Sequence, residues 1–199
     1  LWRVMLWARF LLLVSRLRLR LVPGHPDRAA GLFFLSASLR GFRLLAFAIG
    51  SVAAGTVANR VAREGGSPLE FKPVAIVIGV VVIVLFAGPL VLFVSKLREA
   101  RARGTFMYGA LACSVGRQFE QKWLDRTDEI DQEALGQPDF SATTDLYGIV
   151  SNVYEMRDVP FSLIKLVLLV ASALLPFLPV ALLVVPLKVV LQEVAKFLL

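Results

Sequence analysis

The residues with the most chemical capacity lie close together in the string Val22-Pro23-Gly24-His25-Pro26-Asp27-Arg28. His25 is the only histidine of the protein, and Asp27 is the only acidic residue among the first 63. Because an imidazole changes charge near neutral pH, His25, Asp27 and Arg28 together could bind an anionic headgroup or transfer a proton. The string also has a structural interpretation, in which the prolines form a turn and Asp27 caps a helix that begins near Arg28.

Other kinds of site find little support in the sequence. One histidine and one cysteine, Cys113, are too few for a structural zinc site, which needs about four such ligands. No glycine-rich phosphate loop occurs, and we interpret the acidic run 125–139 as a solvated linker rather than a calcium loop. We therefore expect no metal and no cofactor, and we favour a protein that is not an enzyme.

The composition indicates a membrane protein. Hydrophobic residues make up 57% of the 199 residues and charged residues 19%, whereas soluble domains average about 45–50% and about 25%. The net charge is +7, but the basic residues flank apolar runs, so we expect no nucleic-acid partner. The predicted fold class is all-α: a polytopic integral membrane protein with about three transmembrane helices in this chain, plus interfacial amphipathic helices.

Two apolar stretches are uncharged and contain prolines. Residues 74–95 form 22 uncharged positions, about 33 Å as a helix, which is long enough to cross a hydrocarbon core of about 30 Å. Residues 166–187 form a second uncharged stretch, and its three prolines predict an interrupted helix. The expected helix breaks lie at Pro89, Pro176, Pro179 and Pro186.

A third stretch, residues 44–59, is short, and we extend it backward through the apolar residues 29–39. Arg40 and Arg43 then lie three residues apart on one helix face. Two interpretations of this pair stay open. Either both guanidinium groups reach the membrane surface, or they line a polar path inside the membrane.

Small residues recur every four positions in the third stretch, a pattern that lets two helix backbones approach closely. Such a stripe packs either against another helix of the same chain or against a second subunit, and the sequence does not distinguish the two. The stripe consists of Ala46, Gly50, Ala54 and Ala58.

The loop after the second span is predicted to carry two amphipathic helices, separated by the acidic linker 125–139. Apolar residues that recur every four positions indicate the first helix, and a shorter apolar pattern indicates the second. The first set is Met107, Leu111, Val115, Phe119 and Trp123, and the second is Leu146, Ile149, Val150, Val153 and Tyr154.

We divide the chain into four segments by this pattern. Residues 1–28 are a basic N-terminal segment, either amphipathic or the end of a truncated membrane helix, with the turn at His25. Residues 29–95 are a transmembrane helical hairpin, and residues 96–162 are a cytoplasmic loop. Residues 163–199 are a proline-broken transmembrane helix and an amphipathic tail. The excess of Lys and Arg in residues 1–43 and 96–162 places both in the cytoplasm.

The string VPGHPDRAAGLFFL, residues 22–35, resembles the VPTHPDRAGGLGFL-type signature of a group of uncharacterised bacterial inner-membrane proteins. The sequence departs from that signature at Ala30 and Phe33, where the family has glycine. The resemblance implies a multi-pass protein of the bacterial inner membrane and implies no activity. Other similar stretches are Ala58-Asn59-Arg60, Tyr108-Gly109-Ala110-Leu111-Ala112, Lys122-Trp123-Leu124, Met156-Arg157 and Val159-Pro160-Phe161.

The leading functional hypothesis is a non-enzymatic membrane protein that acts through assembly. It would contact membrane lipid and function as a homo-oligomer or as an accessory subunit beside other membrane subunits. The alternative is an oligomeric ion channel or transporter, with the proline-broken last helix, Arg40 and Arg43 near the path. A lipid-active enzyme that uses His25, Asp27 and Arg28 is a third hypothesis.

Overall fold

The computed structural model describes residues 2–64, 72–124 and 138–184, and within these ranges every regular element is helical. The all-α prediction is confirmed for this part of the chain. The C-terminal tail, Pro186 and residues 125–137 of the acidic linker lie outside the described residues. The α-helices are α1 (Trp2–Arg16), α2 (Ala37–Gly41), α3 (Arg43–Glu64), α4 (Lys72–Phe86), α5 (Val94–Trp123), α6 (Pro138–Tyr154), α7 (Leu163–Leu174) and α8 (Phe177–Val184), and 3-10 helices cover Phe33–Ser36 and Gly88–Phe93.

One segment of the described chain is long and apolar enough to cross a membrane. It is Phe33–Arg63, 31 residues, and 22% of its most apolar window is buried. The pair Lys72–Phe86 and Gly88–Trp123 passes the same test when taken together, although its two parts are bent by 44°. The segment begins at Phe33 and not at residue 29, because residues 24–32 form a loop. By length and composition, one or two helices can therefore span a membrane.

The effect of each proline depends on its position along the helix. α4 ends at Phe86 and the chain continues as a 3-10 helix through Pro89, which has no backbone N–H for the preceding turn. α7 ends at Leu174, and α8 begins directly after Pro176. The expected break at Pro179 is wrong. Pro179 lies in the first turn of α8, where a backbone N–H has no partner within the helix.

The described chain divides into two compact units. Among the described residues, unit 1 contains 2–10, 36–64, 72–89 and 161–184, and unit 2 contains 11–35, 90–124 and 138–160. Each unit thus combines parts of several of the four consecutive segments that the sequence suggests.

In unit 1, helix α3 packs against α7, α8 and α4. The small-residue stripe forms this contact: Ala46 and Ala54 are fully or almost fully buried, and Gly50 is buried against α7. A Cβ on Gly50 would lie 1.8 Å from the carbonyl oxygen of Ala173. Ala58 packs at the edge of a small core formed with α8. The stripe therefore serves packing within the chain, which is one of the two alternatives that the sequence left open.

In unit 2, helices α5 and α6 pack side by side and antiparallel. A Cβ on Gly116 would lie 3.0 Å from the hydroxyl of Tyr147, and one on Gly109 would lie 3.2 Å from that of Tyr154. Near the other end, the ring of Phe140 contacts Phe119 and Trp123, with centroid distances of 5.0 Å and 4.9 Å. Helix α6 starts at Pro138, inside the stretch predicted as linker, because proline is favourable in a first helical turn.

The four-residue apolar repeat predicted for α5 is only half correct. Trp123 is buried, but Met107 is 61% exposed and Leu111 is 49% exposed. Four residues advance about 400° around a helix, so the repeat drifts by about 160° between Trp123 and Met107. The buried side of the first half of α5 consists instead of Leu97, Ala100 and Gly104. The set predicted for α6 is also correct only in part, since Val150 and Val153 are buried whereas Ile149 and Tyr154 are exposed.

We expect Gly50→Ala to destabilise the protein, because the added methyl group has no room beside the Ala173 carbonyl. Overpacking of this kind costs about 1–3 kcal/mol. Thermal unfolding in detergent, followed by circular dichroism, measures the loss. Gly55→Ala on the same helix is the control, since nothing lies within 4 Å of its added Cβ. Equal unfolding temperatures for the two variants would contradict the close contact.

Candidate functional site

The string around His25 folds as an irregular loop in unit 2. The His25 amide donates to the Val22 carbonyl at 3.1 Å, and the Arg28 amide donates to the His25 carbonyl at 3.1 Å, which closes two successive turns. The φ angles of Arg28, Ala30 and Gly31 are +55°, +53° and +91°. The expected helix beginning near Arg28 is therefore absent, because this left-handed backbone cannot enter an α-helix. We call residues 22–33 the Asp27 loop.

The carboxylate of Asp27 forms the centre of this loop. Its Oδ1 accepts hydrogen bonds from the Ala29 and Gly31 amides at 2.9 Å and 3.0 Å, and its Oδ2 accepts one from the Phe33 amide at 3.1 Å. The prediction that Asp27 accepts from free backbone amides thus applies to a loop and a 3-10 helix start rather than to an α-helix. One side chain satisfies three donors and holds three left-handed residues in place.

Burial of Asp27 disfavours its charged form. The backbone hydrogen bonds from Ala29, Gly31 and Phe33, together with the contact to His25, outweigh this burial and hold the pKa of the Asp27 carboxyl below its ordinary value. Asp27 is therefore a carboxylate at neutral pH, and its oxygens are already used by the loop.

The His25 imidazole lies at the surface beside this carboxylate. Its Nδ1 is 2.9 Å from Asp27 Oδ1 and also lies 3.2 Å from the Asp27 amide nitrogen. A neutral Nδ1 can accept from that amide, whereas a protonated Nδ1 can donate to the carboxylate. The His25 side chain is 45% exposed. The structure thus brings His25 and Asp27 together.

Arg28 fastens the loop to the chain after α6. Its guanidinium is 2.7 Å from the Glu155 carboxylate, and its carbonyl accepts a 2.7 Å hydrogen bond from the Arg157 amide. The Arg157 guanidinium lies over the ring of Phe33, 5.4 Å from its centre. The Arg28 charge is paired with Glu155, and a headgroup site formed jointly by His25, Asp27 and Arg28 stays a prediction.

Two glycines let the loop dock between α5 and α6. A Cβ on Gly24 would lie 2.6 Å from a methyl group of Ile149, and one on Gly104 would lie 2.4 Å from Pro23. The Asp27 loop is thus in contact with both helices. This explains why residues 22–33 adopt one conformation although they contain little regular structure.

The sequence did not identify the acidic and basic residues that surround the loop. Asp158 pairs with Arg101 at 3.3 Å and with Arg98 at 3.5 Å, and Arg101 also donates to the Tyr154 carbonyl. Glu155 accepts from Ser151 in addition to pairing with Arg28. The partners in the Asp158 and Arg28 ion pairs are more than 50 residues apart in the chain, so no local pattern could have paired them.

Arg40 and Arg43 lie in unit 1 and do not share one helix. Arg40 belongs to α2 and is exposed, whereas Arg43 begins α3 and is half-buried. The Nε of Arg43 is buried and has no hydrogen-bond partner among the described residues. Nearby in the chain, the buried Ser36 hydroxyl receives a hydrogen bond from Lys165 on α7.

The described residues hold no group of three or more His, Cys, Asp or Glu side chains that could bind a metal ion. Comparison with family models, with curated proteins and with solved structures finds no significant match. The functional argument therefore rests on the residues and their geometry.

We expect Asp27→Asn to destabilise unit 2 by about 1–3 kcal/mol at neutral pH, because charged hydrogen bonds to buried backbone donors are lost. Since the folded-state pKa is lowered, the stabilisation from Asp27 is complete above the ordinary carboxyl pKa. It disappears as the pH falls through the folded value. Unfolding measured against pH should show this acid loss in the wild type and a smaller one in Asp27→Asn. Asp145→Asn, an exposed acid on α6, should behave like the wild type.

Proposed function

We propose that this chain is a multi-pass protein of a bacterial inner membrane that acts through assembly, as a homo-oligomer or as an accessory subunit. Placement in a bacterial inner membrane is what the resemblance of residues 22–35 implies. One set of exposed side chains supports membrane placement, and a different set supports assembly.

The helices of unit 1 carry many large apolar side chains that the described chain leaves uncovered. Soluble monomers rarely expose contiguous apolar patches larger than a few hundred Å². Lipid around α3, α4 and the α7–α8 pair would cover these residues and would give three spans. Examples on the three segments are Leu44, Phe47 and Val52, then Ile76, Val80 and Val84, then Leu163, Ile164, Val167 and Leu178.

Helix α7 alone is about 18 Å long, which is too short to cross a membrane. Together, residues 163–184 reach about 33 Å. A proline break is tolerated in lipid where adjacent helices satisfy the freed backbone groups, and α3 lies against both halves. Residues 1–43 and 96–162 each contain eight Lys and Arg, whereas residues 59–73 and 163–199 each contain three. This distribution of positive charge favours a cytoplasmic location for unit 2.

The observation that carries assembly is an exposed apolar face on the charged helix α5. Phe106 is 80% exposed and lies on the side of α5 opposite Leu97 and Gly104, and the neighbouring Met107 is 61% exposed. Aromatic residues and methionine are enriched where proteins associate. The small-residue stripe on α3 is occupied within the chain, so this α5 face is the surface that we assign to a second copy or another subunit.

We expect Phe106→Glu to abolish assembly, because burying a carboxylate in an apolar contact would remove its hydration at a high cost in free energy. Native mass spectrometry from lipid nanodiscs should show more than one polypeptide for the wild type and a single chain for the variant. Gln118→Glu is the control, since it adds the same charge to α5 about 120° around the helix. A single chain already in the wild type would remove the assembly proposal.

The half-buried Arg43 supports a second candidate, an oligomeric channel or transporter. Charged residues within an apolar segment often line ion or substrate paths. The partnerless Nε of Arg43 lies at the start of α3, inside the membrane-spanning candidate. Ion flux into liposomes that falls in Arg43→Ala but persists in Arg40→Ala would favour this function. Flux that neither variant changes would count against it.

A further inference from the structure

A row of arginines follows α1 and runs beside the first turns of α5. The ammonium group of Lys96 donates to the Leu17 carbonyl, and six residues later Pro23 contacts the backbone at Gly104. These two contacts fix residues 17–23 along residues 96–104, in parallel. Arg16, Arg18 and Arg20 therefore lie next to the charged turns of α5.

The two segments together form one basic surface in unit 2. Glu99 lies 3.6 Å from Arg103, and Asp158 is shared between Arg98 and Arg101, so acids offset only part of the charge. Arg16, Arg18 and Arg20 are all exposed. Arg98 and Arg101 lie about 140–200° around α5 from Lys96, so the basic surface comprises Arg16, Arg18, Arg20, Lys96 and Arg103.

Exposed apolar residues precede the basic surface on both segments. Leu12 and Leu13 come shortly before Arg16, with 37% and 53% of their surface exposed. Val91 and Leu92 come shortly before Lys96 and are 54% and 38% exposed. The chain changes from uncovered apolar residues to arginine and lysine at both places. This order matches the change from acyl chains to headgroups in a lipid leaflet.

We propose that the basic surface binds the phosphodiester headgroups of anionic phospholipids. The inference rests on the membrane placement in the proposed function but not on assembly. Arginine forms two parallel hydrogen bonds to a phosphate, and clusters of four to eight Lys or Arg beside a membrane segment favour anionic lipid. A nucleic acid or an acidic protein would pair with the same charges but would leave Leu13 and Val91 in water.

The test uses the full chain purified in detergent and titrated with short-chain phosphatidylglycerol or phosphatidylcholine of the same chain length. Native mass spectrometry counts the lipids that stay bound. We expect phosphatidylglycerol to bind at least tenfold more tightly to the wild type. The triple variant R16Q/R18Q/R20Q should lose about fivefold in affinity for each arginine removed. The variant R16K/R18K/R20K keeps the charge and should retain most of the preference.

Arg60→Gln with Arg63→Gln is the matched control, because both arginines are exposed and lie at the far end of α3. This double variant should bind phosphatidylglycerol like the wild type. An unchanged preference in R16Q/R18Q/R20Q, or equal binding of the two lipids by the wild type, overturns the proposal. Displacement of phosphatidylglycerol by millimolar inorganic phosphate would assign the surface to a free anion and overturn it as well.

The same spectra separate this inference from the proposed assembly. A wild type that contains several copies without a lipid preference removes only the headgroup site. A single chain that prefers phosphatidylglycerol removes only the assembly.

Discussion

The main constraint on this protein is the large apolar surface that unit 1 leaves uncovered. Val84, Leu163 and Ile164 are each more than 60% exposed, and similar residues recur along α3, α4 and α7. Keeping such a side chain in water instead of an apolar medium costs about 1.5–3 kcal/mol when the whole side chain is exposed. Moving more than ten such side chains from water into lipid therefore favours membrane placement by about 10 kcal/mol or more. Lipid removes this cost, and the proposed placement of every other element follows from it.

The interior of each unit is stabilised by a different kind of interaction, which fits the proposed membrane placement. Lipid tails are as apolar as leucine, so helices in a bilayer associate through close contact, and α3 meets α7 where Gly50 faces the Ala173 carbonyl. Unit 2 relies instead on charge and backbone hydrogen bonding. The Asp27 carboxylate organises one loop, and the Arg28–Glu155 pair fastens it. Such polar pairs suit a water-facing unit, since a low-dielectric surrounding makes unsatisfied charges expensive.

Periodicity and composition predicted the helical class and the region of the small-residue stripe, because both depend on local sequence. The partner of the stripe was not predictable, since α3 and α7 are more than 100 residues apart. The turn at His25 was expected, but three left-handed residues exclude the helix predicted after it. The bond between the Asp27 carboxylate and the Phe33 amide shows why: one side chain can override the helical preference of residues 28–32. A four-residue repeat advances about 40° beyond a full turn each time, so Met107 and Trp123 could not share one helix face.

Thiol accessibility tests the membrane placement most directly. In a Cys113→Ser background, Val167→Cys puts a thiol on α7 at a position that is 56% exposed on the protein itself. The native Cys113 is also exposed and provides the reference on α5. In open membrane fragments, a charged maleimide should label Cys113 rapidly and leave the thiol at position 167 unlabelled until detergent is added. Equal labelling of both thiols in intact lipid would mean that water, not acyl chains, covers α7, and would contradict the account.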